Sequence, residues 1–191
     1  MFNFKNIAGG NLSYLRKFLL FHWPLAVLTL ATGAFGVLML YSVAGGSMLP
    51  WAEPQLMRFV VGFGMMAIVA FIHIDFWRSL TIPLYIGSLI LLIAVMFYGE
   101  GAGAQRWIDL GFIRLQPSEI VKVTLIMALS LYYSTVPVVA QSRLLWLIPP
   151  FLLIGIPTFL VFSQPDLGTS LLILTSGLAV MFLAGVNIWY F

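Results

Sequence analysis

Within the 24 residues from Gly99 to Lys122, GEGAGAQRWIDLGFIRLQPSEIVK, stand Glu100, Arg106, Asp109, Arg114, Glu119 and Lys122. They are six of only fifteen charged residues in a chain that is 62% hydrophobic. Charge in an apolar setting is costly and persists where it has work to do, so chemistry is sought here first. The second half of the stretch, Gln116-Pro117-Ser118-Glu119, reads as a helix start. Proline suits the first helical position, where its missing N–H costs nothing. With Gln116 as the cap, Glu119 falls at the third position, where a carboxylate is favoured by the helix dipole and can bond back to the chain. Lys122 follows on the same face, in the acid-before-base order that helices prefer. As a partly buried pair, Glu119 and Lys122 would each leave an uncompensated charge if the other were removed, at a cost on the order of 3 kcal/mol.

A second cluster, Gln164-Pro165-Asp166, repeats the order Gln, Pro, acid. Two such helix starts on one side of a membrane aim two positive helix ends at a shared space, which suits an anionic group such as a phosphate. Arg106 and Arg114 add donors, because arginine grips phosphate through a bidentate fork. The candidate binding residues are therefore Arg106, Gln116, Ser118, Glu119, Lys122, Gln164 and Asp166. Each has a structural alternative: capping at an interface for the two helix starts, and mutual neutralisation for Glu119 and Lys122. Asp166 has no obvious partner nearby in sequence, so it must be capped, protonated or paired with another span. A role for it as general base or metal ligand is the weaker reading. His22 and His73 read as interfacial residues. Gly168, Thr169, Ser170 and Gly177 suit close helix packing. There is no Walker loop, dinucleotide fingerprint, metal-binding His pair or serine elbow.

The elements that must position these residues are membrane spans. A soluble domain carries about a quarter charged residues, against 8% here, and the mean hydropathy is +1.07. The fold class is thus an all-α polytopic membrane protein. Uncharged runs predict six spans, at about 22–43, 56–72, 80–98, 117–134, 145–162 and 165–184. Residues 1–21 form a basic leader with Lys5, Arg16 and Lys17, residues 99–119 a polar loop, and residues 185–191 the entry to a seventh span that is cut off. His73 to Arg78 reads as a tight reversal. The fifth span carries Pro149, Pro150 and Pro157 and should be bent or partly broken.

Lys and Arg counts in the short loops place the N-terminus in the cytoplasm. Lys5, Arg16, Lys17, Arg78 and Arg143 then lie inside, against Arg58, Arg106 and Arg114 outside. Both polar clusters consequently face outward. All six tryptophans fall at expected span ends, as an interfacial belt requires. The absence of cysteine excludes disulfides and thiolate metal sites. The net charge of +3 is scattered among spans and does not form a nucleic-acid surface.

Three motifs, Gly103-Ala104-Gln105-Arg106-Trp107-Ile108-Asp109-Leu110-Gly111, Gln116-Pro117-Ser118-Glu119 with Lys122, and Gln164-Pro165-Asp166-Leu167-Gly168-Thr169, resemble the SEDS family (shape, elongation, division and sporulation proteins). Gln105-Arg106-Trp107, Asp109-Leu110-Gly111-Phe112 and Tyr41-Ser42 are more similar to the elongation branch than to the division branch. The resemblance implies a peptidoglycan glycosyltransferase of the bacterial cytoplasmic membrane, polymerising lipid II beside a class B penicillin-binding protein and controlling rod shape. It implies that Arg106, Glu119 and Lys122 line the family's cavity, and that Gln164 and Asp166 stand at its sixth-span entrance. The resemblance makes no cofactor certain and leaves room for a divalent cation, with no metal ligand assigned. Family members have about ten spans, of which this sequence matches the leading six, and the aspartate proposed as their base lies in a later loop. No catalytic base is therefore assigned, and the chain alone could be inactive. A lipid II flippase built on broken helices and a non-catalytic scaffold of the cell-wall machinery are the competing readings. Crowding of the polar groups in one half of the membrane favours the polymerase.

Overall fold

A computed structural model describes residues 21–99, 106–109, 114–137 and 143–191. The leader residues Lys5, Arg16 and Lys17, together with Glu100 and Gln105, lie outside the described residues. Among these residues six α-helices follow one another: α1 (Trp23–Val43), α2 (Ala52–Phe71), α3 (Ile74–Tyr98), α4 (Pro117–Thr135), α5 (Leu144–Phe162) and α6 (Leu167–Leu183). Between α3 and α4, β1 (Ile108–Asp109) pairs antiparallel with β2 (Arg114–Leu115). The chain divides into two compact units, Met1–His73 and Ile74–Phe191.

Two helices begin earlier than the apolar runs suggest, α2 at Ala52 and α3 at Ile74. Each has an acid in its first turn, Glu53 and Asp75, where the positive end of the helix dipole favours it. The expected reversal from His73 to Arg78 is correspondingly shorter, because Asp75, Phe76, Trp77 and Arg78 are already helical. In the first unit, α1 is capped by His22, whose Nδ1 accepts from the Leu25 N–H. Pro24 sits just inside that helix start.

In the second unit α4 packs against α3, α5 and α6. Its residues Val121, Leu125, Ala128 and Leu129, spaced for one helical face, are buried and join Leu92, Leu147, Ile154, Ile173 and Met181 in one core. Among the described residues four helices are long and apolar enough to cross a membrane: α1, α2, α3 and α5. The helix α4 carries Glu119 and Lys122, and α6 is an apolar helix of 17 residues. Shielding explains the uneven composition. A helix facing lipid must be apolar all round, whereas one surrounded by neighbours can hold Ser118 and Thr124 where partners reach them. Thr124 and Ser88 of α3 share a buried hydrogen bond of 2.8 Å.

Close packing of α6 on α5 depends on Gly177, where a Cβ would meet Ile154 Cγ1 at 2.5 Å. The helix α5 is not broken by its prolines and runs without interruption from Leu144 to Phe162 with all three inside it. Carbonyls that prolines deprive of a donor are tolerated when neighbouring helices supply one.

Candidate functional site

The short hairpin opposes Asp109 to Arg114, and Arg114 Nε donates to Asp109 Oδ2 at 3.2 Å. Arg114 therefore turns toward its own hairpin, on a side chain 73% exposed. Arg106, just before β1, reaches much further along the chain. Its Nε donates to Gln164 O at 3.2 Å and its Nη2 to Pro165 O, while Nη1 lies 3.8 Å from Asp166 Oδ2. One guanidinium thus spans the turn between α5 and α6. An arginine suits this task because its rigid fork presents several donors at once.

Asp166 is the N-cap of α6: Oδ1 accepts from the Thr169 N–H at 3.1 Å and Oδ2 from the Thr169 hydroxyl at 2.9 Å. Gln164 is buried, and its Nε2 donates to Leu92 O of α3 at 3.1 Å. The structure therefore brings Arg106, Gln164 and Asp166 together, and adds Thr169. Sequence reasoning assigned Thr169 to packing alone. The signal that would have found it is an aspartate three residues before a threonine at a helix start.

The other helix start is built differently. Gln116 occupies the N-cap of α4 but makes no side-chain cap bond, and Pro117 follows it. The expected return bond from Glu119 gives way to Lys122, whose Nζ lies 2.7 Å from Glu119 Oε1. Glu119 is 57% exposed and Lys122 26%, so the lysine is the more deeply set member of the pair. Where water reaches both side chains, such a pair contributes about 0.2–1 kcal/mol. Ser118 is buried beside it. No hydrogen bond or ion pair among the described residues joins this pair to the Arg106 cluster.

An apolar groove of about 370 Å³ starts at the α5–α6 turn, lined by Thr158, Phe159 and Phe162 of α5 and Leu167, Ser170 and Leu171 of α6. Chemically, the turn offers a partly exposed cation, a helix N-terminus and an adjoining apolar wall. Arg106 keeps N–H groups beyond those bound to the two carbonyls. Among the described residues no group of three or more His, Asp or Glu side chains is placed to hold a metal ion.

Residues 22–191 match the cell cycle protein family FtsW/RodA/SpoVE. The chain belongs to that family. Its fold agrees with solved members. It superposes with a TM-score of 0.78 on a chain of a structure described as the structural coordination of polymerization and crosslinking by a peptidoglycan synthase complex, at 31% identity, covering 88% of this chain and 49% of that one. The rod shape determining protein RodA of Thermus thermophilus gives a TM-score of 0.72 at 30% identity, covering 86% of this chain and 54% of that one. Among curated relatives, the peptidoglycan glycosyltransferase MrdB of Escherichia coli K12 is 37% identical over 164 residues, which are 84% of this chain and 43% of MrdB. The probable peptidoglycan glycosyltransferase FtsW of Escherichia coli O6:H1 is 33% identical over 133 residues, 69% of this chain and 32% of that protein. The chain spans less than half the length of these two curated relatives. It is an integral bacterial membrane protein of the SEDS family, with the helices of the family's N-terminal portion.

Proposed function

We propose that this chain forms the leading half of a peptidoglycan glycosyltransferase that polymerises lipid II on the outer face of the cytoplasmic membrane. In this reading the N-terminus is cytoplasmic, the α5–α6 turn faces outward, and a class B penicillin-binding protein crosslinks the product. Glycosyl transfer from lipid II requires an acceptor sugar hydroxyl to attack the anomeric carbon while undecaprenyl diphosphate leaves. The leaving diphosphate needs cations and fixed dipoles, and the hydroxyl needs a base. Arg106 and the α6 N-terminus serve the diphosphate, Lys122 adds a second cation from α4, and no base is assigned within this chain. The groove between α5 and α6 gives the isoprenoid chain an apolar wall directly below the charged turn.

The observation that carries the reading is Arg106, fixed against the start of α6 by two main-chain carbonyls, with Nη1 3.8 Å from Asp166 Oδ2 and the guanidinium still partly exposed at the turn. The names of the two curated relatives, a peptidoglycan glycosyltransferase and a probable one, support the same reaction class. The test is glycan synthesis from purified lipid II by the native protein that contains this chain. Arg106→Ala should reduce the polymer at least tenfold at matched protein levels, whereas Arg143→Ala at the start of α5 should not. Equal product from wild type and Arg106→Ala would remove the arginine from the site. No polymer from any wild-type preparation would favour the flippase or the scaffold. Orientation is read separately. A cysteine replacing Ser163 should react with an impermeant thiol reagent in intact cells, and one replacing Gln141 should not.

A further inference from the structure

Pro150 and Pro157 each remove a backbone N–H from α5, and so deprive the carbonyl four residues earlier of its helical donor. Those carbonyls belong to Trp146 and Leu153. Each is met from a neighbouring helix by a phenol: Tyr132 of α4 donates to Trp146 O at 2.6 Å, and Tyr85 of α3 donates to Leu153 O at 2.7 Å. Tyr85 is buried, so its hydroxyl and the carbonyl would both be costly to leave unpaired.

Pro157 stands five residues before the end of α5, and the helix then enters the turn where Arg106, Gln164 and Asp166 meet. That turn is tied to α3 a second time, through Gln164 Nε2 and Leu92 O. Tyr85 and Leu92 are seven residues apart, hence on one face of α3. The end of α5 thus hangs from α3 at two points, one at the proline and one at the tip.

We infer that α5 is hinged at Pro157 and that Tyr85 is the latch of this hinge, a positioning residue that sets, with Gln164, where the site turn stands. The inference goes beyond the proposed reaction and does not depend on it. Tyr132 and Pro150 form the corresponding latch toward the other end of α5. A latch differs from an ordinary contact between helices in one measurable way: its worth depends on the proline. In Pro157→Ala the new N–H of residue 157 serves Leu153 O from within the helix, and the Tyr85 hydroxyl becomes dispensable.

The experiment is a double-mutant cycle on the full chain in lipid nanodiscs or mild detergent, read by reversible unfolding and by the distance between spin labels at Phe76 and Ser163. Tyr85→Phe should lower the folded-to-unfolded ratio about three- to tenfold and broaden the distance distribution. In the Pro157→Ala background the same change should stay within about twofold and leave the distribution narrow. Tyr85→Phe in a Pro150→Ala background should keep its full effect, which separates a matched pair from general loosening. Where Pro157→Ala fails to fold, Tyr132→Phe with and without Pro150→Ala reads the same relation. An equal loss with and without the matching proline, or no loss in the wild-type background, would overturn the latch.

Discussion

Two helix starts in this chain share the order Gln, Pro, acid, and the fold uses them in opposite ways. At α6 the aspartate, the arginine and the glutamine each hold a partner across the turn. Asp166 caps the helix, Arg106 holds the two carbonyls before it, and Gln164 is buried against Leu92. At α4 the glutamine caps nothing, and the acid turns outward to Lys122. The position of the acid decides the difference. At the N-cap itself, a short aspartate reaches the free N–H groups of the first turn. At the third helical position a longer glutamate can choose between the chain and a lysine one turn on, and here it takes the lysine. Similar motifs therefore make one built turn and one adaptable pair.

The largest expected effect follows from removing the acid that is built in. Asp166→Ala deletes the cap of α6 and the carboxylate beside Arg106, at a cost on the order of 2 kcal/mol in unfolding free energy. Asp166→Asn keeps the cap and should recover more than half of that loss. Gln164→Leu, next in size, loses one buried hydrogen bond and leaves Leu92 O to its helix alone, about 1 kcal/mol by the same measurement. Glu119→Gln and Lys122→Met should each stay below about 1 kcal/mol, because the pair is half exposed. A cost near 3 kcal/mol for either would mean that the pair is sequestered in the membrane-embedded protein, and the contrast between the two starts would shrink. Smallest of all, Gln116→Ala should be indistinguishable from wild type in stability, since its side chain caps nothing. A loss comparable to that of Gln164→Leu would make the two starts equivalent.

Much of the helical architecture was legible in sequence because uncharged runs of about 20 residues, separated by Pro, Gly and charge, admit little else. The helix start at Pro117 was legible from capping chemistry, whereas the sixth helix, expected from Pro165, begins at Leu167 with Asp166 as its cap. Contacts between distant segments were not. Nothing near Arg106 in sequence announces that it holds carbonyls 58 and 59 residues away. The pairing of Ile108 with Leu115 and Asp109 with Arg114 is two residues deep, too short for an alternating pattern to appear. The prolines of α5 suggested a bent or partly broken helix, since sequence shows the missing N–H but not the tyrosine that replaces it. A better rule for such spans is to ask which hydroxyl elsewhere can reach the carbonyl four residues before each proline.

Arg106 is the cation on which the proposed reaction depends, held in place by the carbonyls of the α5–α6 turn. The direct measurement is the affinity of the native protein, in lipid nanodiscs, for undecaprenyl diphosphate. Arg106→Ala should weaken binding at least tenfold, Lys122→Met by less, and Gln116→Ala and Arg143→Ala not at all. Unchanged affinity in Arg106→Ala, with the protein still folded, would show that the arginine serves only the turn and would contradict the account.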